Sequence, residues 1–134
     1  MHMENLNYET WLRHGDQYLG ASSSNKSDKK FNPTIRYNIL SMALESFVMA
    51  ILDFHQSLPD NHTYTDLIFA LEQVAPIPQA LKAKILKYEN IQSICSMDKF
   101  YYKSPTEEEL IELREAINEI STLAHEVCEY SKLG

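Results

Sequence analysis

Histidines, cysteines and carboxylates are the side chains of this sequence that could hold a metal or attack a bond, so their spacing comes first. A di-iron centre in a helical bundle needs Glu-x-x-His pairs, which set two ligands on one helix face, and the sequence contains none. Asp53 and His55 lie two positions apart and point in different directions on a helix, while His14 and His125 each lack a second His at helical spacing. Cys95 and Cys128 fall inside apolar helical stretches and belong to no Cys-x-x-Cys pair. They read as inert packing in a reducing compartment. Gly15, Gly20 and Gly134 are too scattered to form a phosphate-cradling loop. The run Glu107, Glu108, Glu109, Glu112, Glu115 and Glu119 resembles a carboxylate cluster, but it fits a capped helix start followed by a solvated face. No catalytic residue, metal or cofactor is expected.

Two stretches retain a capacity for binding. Phe100-Tyr101-Tyr102-Lys103 is aromatic and basic just before the last helix, and Asn61-His62-Thr63-Tyr64-Thr65-Asp66 is polar and aromatic where another helix opens. Both adjoin helix N-termini, where backbone N–H groups and the helix dipole favour an anion such as a phosphate. Tyr101 and Tyr102 could stack on a base with Lys103 meeting its negative charge, and His62 and Asp66 are possible contributors. Aromatic residues of this kind also commonly close the end of a bundle with their hydroxyls in water. A net charge of −7 opposes non-specific contact with nucleic acid. The two local basic groups, Lys26/Lys29/Lys30 and Lys82/Lys84/Lys87, read as a solvated loop and a solvated helix face.

The elements that would position these residues are all helical. The 134 residues suit a single domain, residues 1–134, and with 3 glycines and 5 prolines the chain has little of the punctuation an all-β fold needs. A first helix is predicted from about Glu4 to Ala21, weakened in the middle by Gly15. The polar segment 22–31 follows as a mobile loop. Asn32-Pro33 opens a second helix running to about Gln56. At 100° per residue its apolar arc covers all but a strip of Asn38, Glu45, Ser46, Asp53 and Gln56. An arc so wide implies a helix that is central in the bundle or shared between two subunits.

Thr63 caps a third helix, which Pro76-Ile77-Pro78 interrupts and which resumes at about Gln79. Ser104-Pro105-Thr106-Glu107 has the form of a capping box, with Ser104 and Glu107 exchanging hydrogen bonds. Behind it Leu110, Leu113, Ile117, Ile120, Ala124 and Val127 follow a bundle seam. The expected architecture is an all-α, up-and-down four-helix bundle with its third helix broken at Pro76–Pro78 and successive helices antiparallel. No apolar run reaches the roughly 20 residues that span a bilayer, and Met1-His2-Met3-Glu4-Asn5 has no signal-peptide form. A cytoplasmic protein is expected.

From about Pro33 to Lys132 the order of segments resembles the HEPN superfamily, relatives of the substrate-binding bundles of nucleotidyltransferases. The resemblance lies in the long helix Tyr37 to Gln56, the His-x-x-x-Asp-Leu stretch from His62 to Leu67, a Lys-rich helix, the aromatic-basic Tyr101-Tyr102-Lys103 and the last helix. Family ribonucleases carry Arg, four residues, then His. Here Arg13 is followed at that distance by Tyr18, Arg36 by Ser41 and Arg114 by Glu119. The resemblance therefore implies a non-catalytic binding or interaction module, a homodimer, and either a companion of a small nucleotidyltransferase or a nucleotide-binding bundle. The alternative is a toxin-like HEPN ribonuclease with a displaced active site and RNA as its substrate.

Overall fold

The computed structural model describes residues 7–23, 33–57, 59, 61, 63–89 and 105–133, apart from the side chains of residues 23 and 129–133. Five helices account for most of them: α1 Tyr8–Ser23, α2 Pro33–Phe54, α3 Tyr64–Glu72, α4 Gln79–Lys87 and α5 Glu107–Leu133. There is no strand among the described residues. Most of the segment 22–31, the proposed start at Glu4 and the stretch beyond Glu89 lie outside them.

α2 is central. It packs on α1, α3 and α5; α1 also meets α5, and α4 lies against α3 and α5. From Ala43 to Leu52 every α2 residue except Glu45 is buried, including Ser46, which the helical wheel had put on the polar strip. Met42, expected beside the apolar face, is instead 43% exposed. Most of the wide arc is thus filled inside one chain, with Ile35 and Met42 left exposed, so its width alone does not require a second subunit. α2 has the length and apolar content of a membrane-crossing helix, with a mean hydropathy of 1.4 over its most apolar window. It nevertheless carries Arg36, Glu45 and Asp53, and 61% of that window is buried against the other helices.

Side-chain contacts set the directions. The Tyr8 ring meets the Phe54 ring edge-on at 5.2 Å, and Gly15 lies against Phe47, so α1 and α2 are antiparallel. Arg36 reaches Glu107, Phe47 faces His125, and the Ala50 carbonyl meets the Cys128 thiol, so α2 and α5 run parallel. The predicted seam of α5 is largely as expected: Leu110, Leu113, Ile117, Ile120 and Ala124 are buried, Val127 is only half-buried, and Ala116 and Cys128 join the seam.

Local signals explain most of the helix ends. The Asn7 side chain accepts the Thr10 N–H at 3.0 Å and opens α1. α2 stops before Gln56 because Gln56 adopts φ 57°, in the left-handed region. The Ser57 N–H then returns to the Leu52 carbonyl at 2.8 Å and the Gln56 N–H to Asp53 at 3.0 Å, a Schellman turn. Thr63 caps α3 as predicted, accepting the Asp66 N–H at 3.2 Å.

The last helix departs from expectation. It starts at Glu107, so the capping box is formed by Thr106 and Glu109, which exchange hydrogen bonds of 2.8 and 3.1 Å. Ser104 lies outside the described residues, and Pro105 is buried ahead of the helix. Both Ser-x-x-Glu and Thr-x-x-Glu satisfy the pattern. A tertiary contact favours the second, because Glu107 is drawn to Arg36 at 2.8 Å.

The interruption at Pro76-Ile77-Pro78 does more than kink a helix. Thr65 at the start of α3 bonds Glu89 just beyond α4, and Glu72 at the end of α3 pairs with Lys82. α3 and α4 are therefore antiparallel arms of a hairpin. Nor does α3 begin at the C-terminal end of α2. Tyr64 stands against Tyr37 and Ser41, in the first half of α2, so the chain after α2 doubles back before α3 opens.

Candidate functional site

The reversal brings the starts of α2, α3 and α5 and the end of α4 to one end of the molecule. Tyr37 and Ser41 stand one turn apart on α2, a spacing that aims both side chains the same way. The Tyr37 hydroxyl donates to the Tyr88 carbonyl at 2.8 Å, closing the C-terminus of α4. Ser41 Oγ and the Tyr64 hydroxyl share a hydrogen bond at 2.5 Å. The Tyr37 and Tyr64 rings lie 6.5 Å apart. On the side facing α5 the Tyr88 hydroxyl donates to Glu112, which also takes the Lys87 ammonium at 3.0 Å. Lys87 lies over the Tyr88 ring at 5.4 Å from its centre.

The electrostatics follow from this arrangement. Burial raises the Tyr64 hydroxyl above its ordinary pKa, against the lowering effect of its hydrogen bonds with Ser41 and Tyr37. Burial first, and then the hydrogen bond to Glu112, raises Tyr88 as well. Glu112 is held below the ordinary carboxylate value, first by the Tyr88 hydrogen bond and then by Lys87. All three shifts keep the tyrosines neutral and the carboxylate charged, which is the pairing the seam requires.

Of the five residues expected to bind a ligand, Tyr101, Tyr102, Lys103 and His62 lie outside the described residues. Asp66 is described, and it serves the helix start: its backbone N–H and its carboxylate both bond the Thr63 hydroxyl, at 3.2 and 3.0 Å. The N-terminus of α3, expected to attract a phosphate, already meets the chain's own carboxylate. Glu89 accepts from the Thr65 N–H at 2.5 Å and from the Thr65 hydroxyl at 2.6 and 2.7 Å. At α5, Glu109 takes the Thr106 N–H at 2.8 Å. The lysine group of α4 is similarly engaged, Lys82 with Glu72 at 3.2 Å and Lys87 with Glu112 at 3.0 Å. A phosphate approaching either helix start would meet an anion where the dipole invites one.

Sequence reasoning gave no binding role to Tyr37, Ser41, Tyr88 or Glu89, and it read Glu112 as part of a solvated face, whereas Glu112 holds Tyr88 and Lys87. A faint signal existed in the tyrosines that interrupt otherwise apolar stretches, since a buried phenol needs a partner for its hydroxyl. Their partners are up to 51 residues away and no local pattern announces them.

A second polar contact lies deeper along α1 and α5. His125 Nε2 is 2.9 Å from Asp16 Oδ1, and its ring stands 6.3 Å from that of Phe47. Among the described residues no three His, Cys, Asp or Glu side chains come together as a metal site. The three arginines that open the unfulfilled Arg-x4-His spacing stand apart in their surroundings. Arg13 is exposed, Arg36 is tied to Glu107, and Arg114 is half-buried with its Nε lacking a hydrogen-bond partner. Comparison of the chain with known protein families, with curated proteins and with solved structures finds no match.

Proposed function

We propose that this protein is a non-catalytic, HEPN-like helical module that acts by binding, as the companion of a small nucleotidyltransferase-type protein. In this reading it is a derivative of the four-helix bundle in which the α3–α4 hairpin occupies the place of the third helix. The observation that carries the proposal is the internal use of charge at the bundle end and along the α3–α4 hairpin. Glu89 and Glu109 answer backbone N–H groups at two helix starts, Glu107 holds Arg36, and Glu72 and Glu112 hold two of the three α4 lysines. Among the described residues, Arg36, Lys82 and Lys87, cations that a nuclease could turn toward phosphate, are committed to the fold. The outer face of α5 adds Glu108, Glu115, Glu119 and Glu126, all exposed and within about 20° of one line at 100° per residue, which repels a nucleic-acid backbone.

The experiment is a search of the neighbouring genes for a small nucleotidyltransferase, co-expression with any such protein followed by size-exclusion chromatography, and an RNA-cleavage assay on the chain alone. Co-elution without cleavage is the expected result. Cleavage of single-stranded RNA by the purified chain would establish the ribonuclease reading instead, and separate elution would remove the companion role.

A further inference from the structure

We propose that the α3–α4 hairpin is a hinged flap that swings off the α1–α2–α5 core as one unit, parting at the seam of tyrosine hydroxyls on α2 and α5. This inference is independent of the binding partner, because it rests on how the hairpin is held.

Two features make the hairpin a unit. It is tied to itself near both ends, by Thr65 with Glu89 and by Glu72 with Lys82. Its turn contains two prolines, whose fixed φ leaves little freedom at the bend. Each arm is only nine residues long, too short to persist as an isolated helix, so neither survives separation from the other.

The seam, in turn, is made to part. Tyr37 and Ser41 on consecutive turns of α2 each hold one arm, Tyr37 the C-terminus of α4 and Ser41 the first residue of α3. Glu112 on α5 holds the third point through Tyr88 and Lys87. When the hairpin leaves, each of these groups exchanges its partner for water, so little net hydrogen-bond energy is lost. The apolar contact of α1, α2 and α5 has no such exchange, and those helices are 16, 22 and 27 residues long. Local opening draws on the less extensive contact, and the hairpin meets α2 and α5 over less of their length than α1 and α5 meet α2. In the open state the buried underside of the hairpin (Leu67, Leu71, Leu81 and Ile85) and the α2 face bearing Tyr37 and Ser41 are both accessible.

The test is native-state hydrogen exchange on the full chain over a denaturant series. Amides of 67–71 and 82–85 should merge onto one opening with a shallower denaturant dependence than amides of 44–52 and 113–124. The discriminating variant is Gly15→Ala, which crowds Phe47 in the α1–α2 contact and leaves the seam intact. It should speed exchange of the 44–52 amides about tenfold or more, through global unfolding, and leave the hairpin amides unchanged. Tyr37→Phe should speed hairpin exchange roughly two- to tenfold. Hairpin amides that join only the global transition in the unmodified protein, or that accelerate together with the core in Gly15→Ala, would overturn the proposal.

Discussion

The α1–α2 contact and the contact between α2 and the α3–α4 hairpin are both buried, but their chemistry differs. Against α1, α2 presents Phe47, whose ring comes so close that Gly15 has no room for a side chain. A Cβ built on Gly15 would stand 2.7 Å from two atoms of that ring. Against the hairpin, α2 presents Tyr37 and Ser41, whose hydroxyls find partners on α4 and α3. The first contact depends on shape and tolerates no added volume. The second adds matched donors and acceptors to the burial of Leu67, Leu71, Leu81 and Ile85, and so part of its strength is sensitive to protonation. One molecule therefore has a core that fixes its shape and a seam whose strength answers to pH.

Three measurements sharpen or break that contrast. The largest effect should come from Gly15→Ala. Helix propensity alone favours alanine by up to about 1 kcal/mol, but overpacking a fully buried ring costs about 1–3 kcal/mol, so a net loss of stability is expected in chemical denaturation. A gain would mean that Phe47 yields easily and that the α1–α2 contact is looser than its geometry implies.

Next is Thr106→Ala, expected to cost about 1 kcal/mol by removing the hydroxyl that closes α5. Ser104→Ala should leave the denaturation midpoint unchanged, and the opposite ranking would move the start of α5 back to Ser104.

The smallest effect at neutral pH, but the most specific to the seam, is the pH response. Tyr64 and Tyr88 have folded-state values raised above that of an unfolded tyrosine, near 10. Their contribution is fully present below that value and is lost as pH rises through the folded values. Glu112 is shifted the other way, so its contribution is present above the unfolded carboxylate value and lost as pH falls through the lower folded one. Stability followed against pH should fall on both flanks. Ultraviolet absorbance should register tyrosinate formation from these two residues only as the structure opens, whereas ionisation of all eight tyrosines in one transition near pH 10, with the fold intact, would contradict the buried seam.

Legibility in the sequence divided along the same line. Gly15 was visible as a weak point in a helix, yet its purpose was not, because the ring it accommodates lies 32 positions on, in another helix. Thr63 was read correctly because a cap and its acceptor are three residues apart. The box at α5 was misplaced by two residues because two overlapping patterns satisfied the same rule, and the choice between them falls to Arg36, 71 positions from Glu107. Of the expected binding residues only Asp66 could be traced, and its bonds are local.

The sequence by itself determined the helices, since the 3.6-residue period, the caps and the prolines act over a few neighbours, and it determined the seam of α5 for the same reason. Tertiary structure alone decided that Pro76-Ile77-Pro78 reverses the chain, and that the middle of α2 is enclosed by its own chain. It also decided that carboxylates of the protein occupy the helix starts where an anion was expected. Each of these depends on which surfaces meet across tens of residues, and such contacts are selected by packing volume and by the pairing of buried polar groups, neither of which has a period in the sequence.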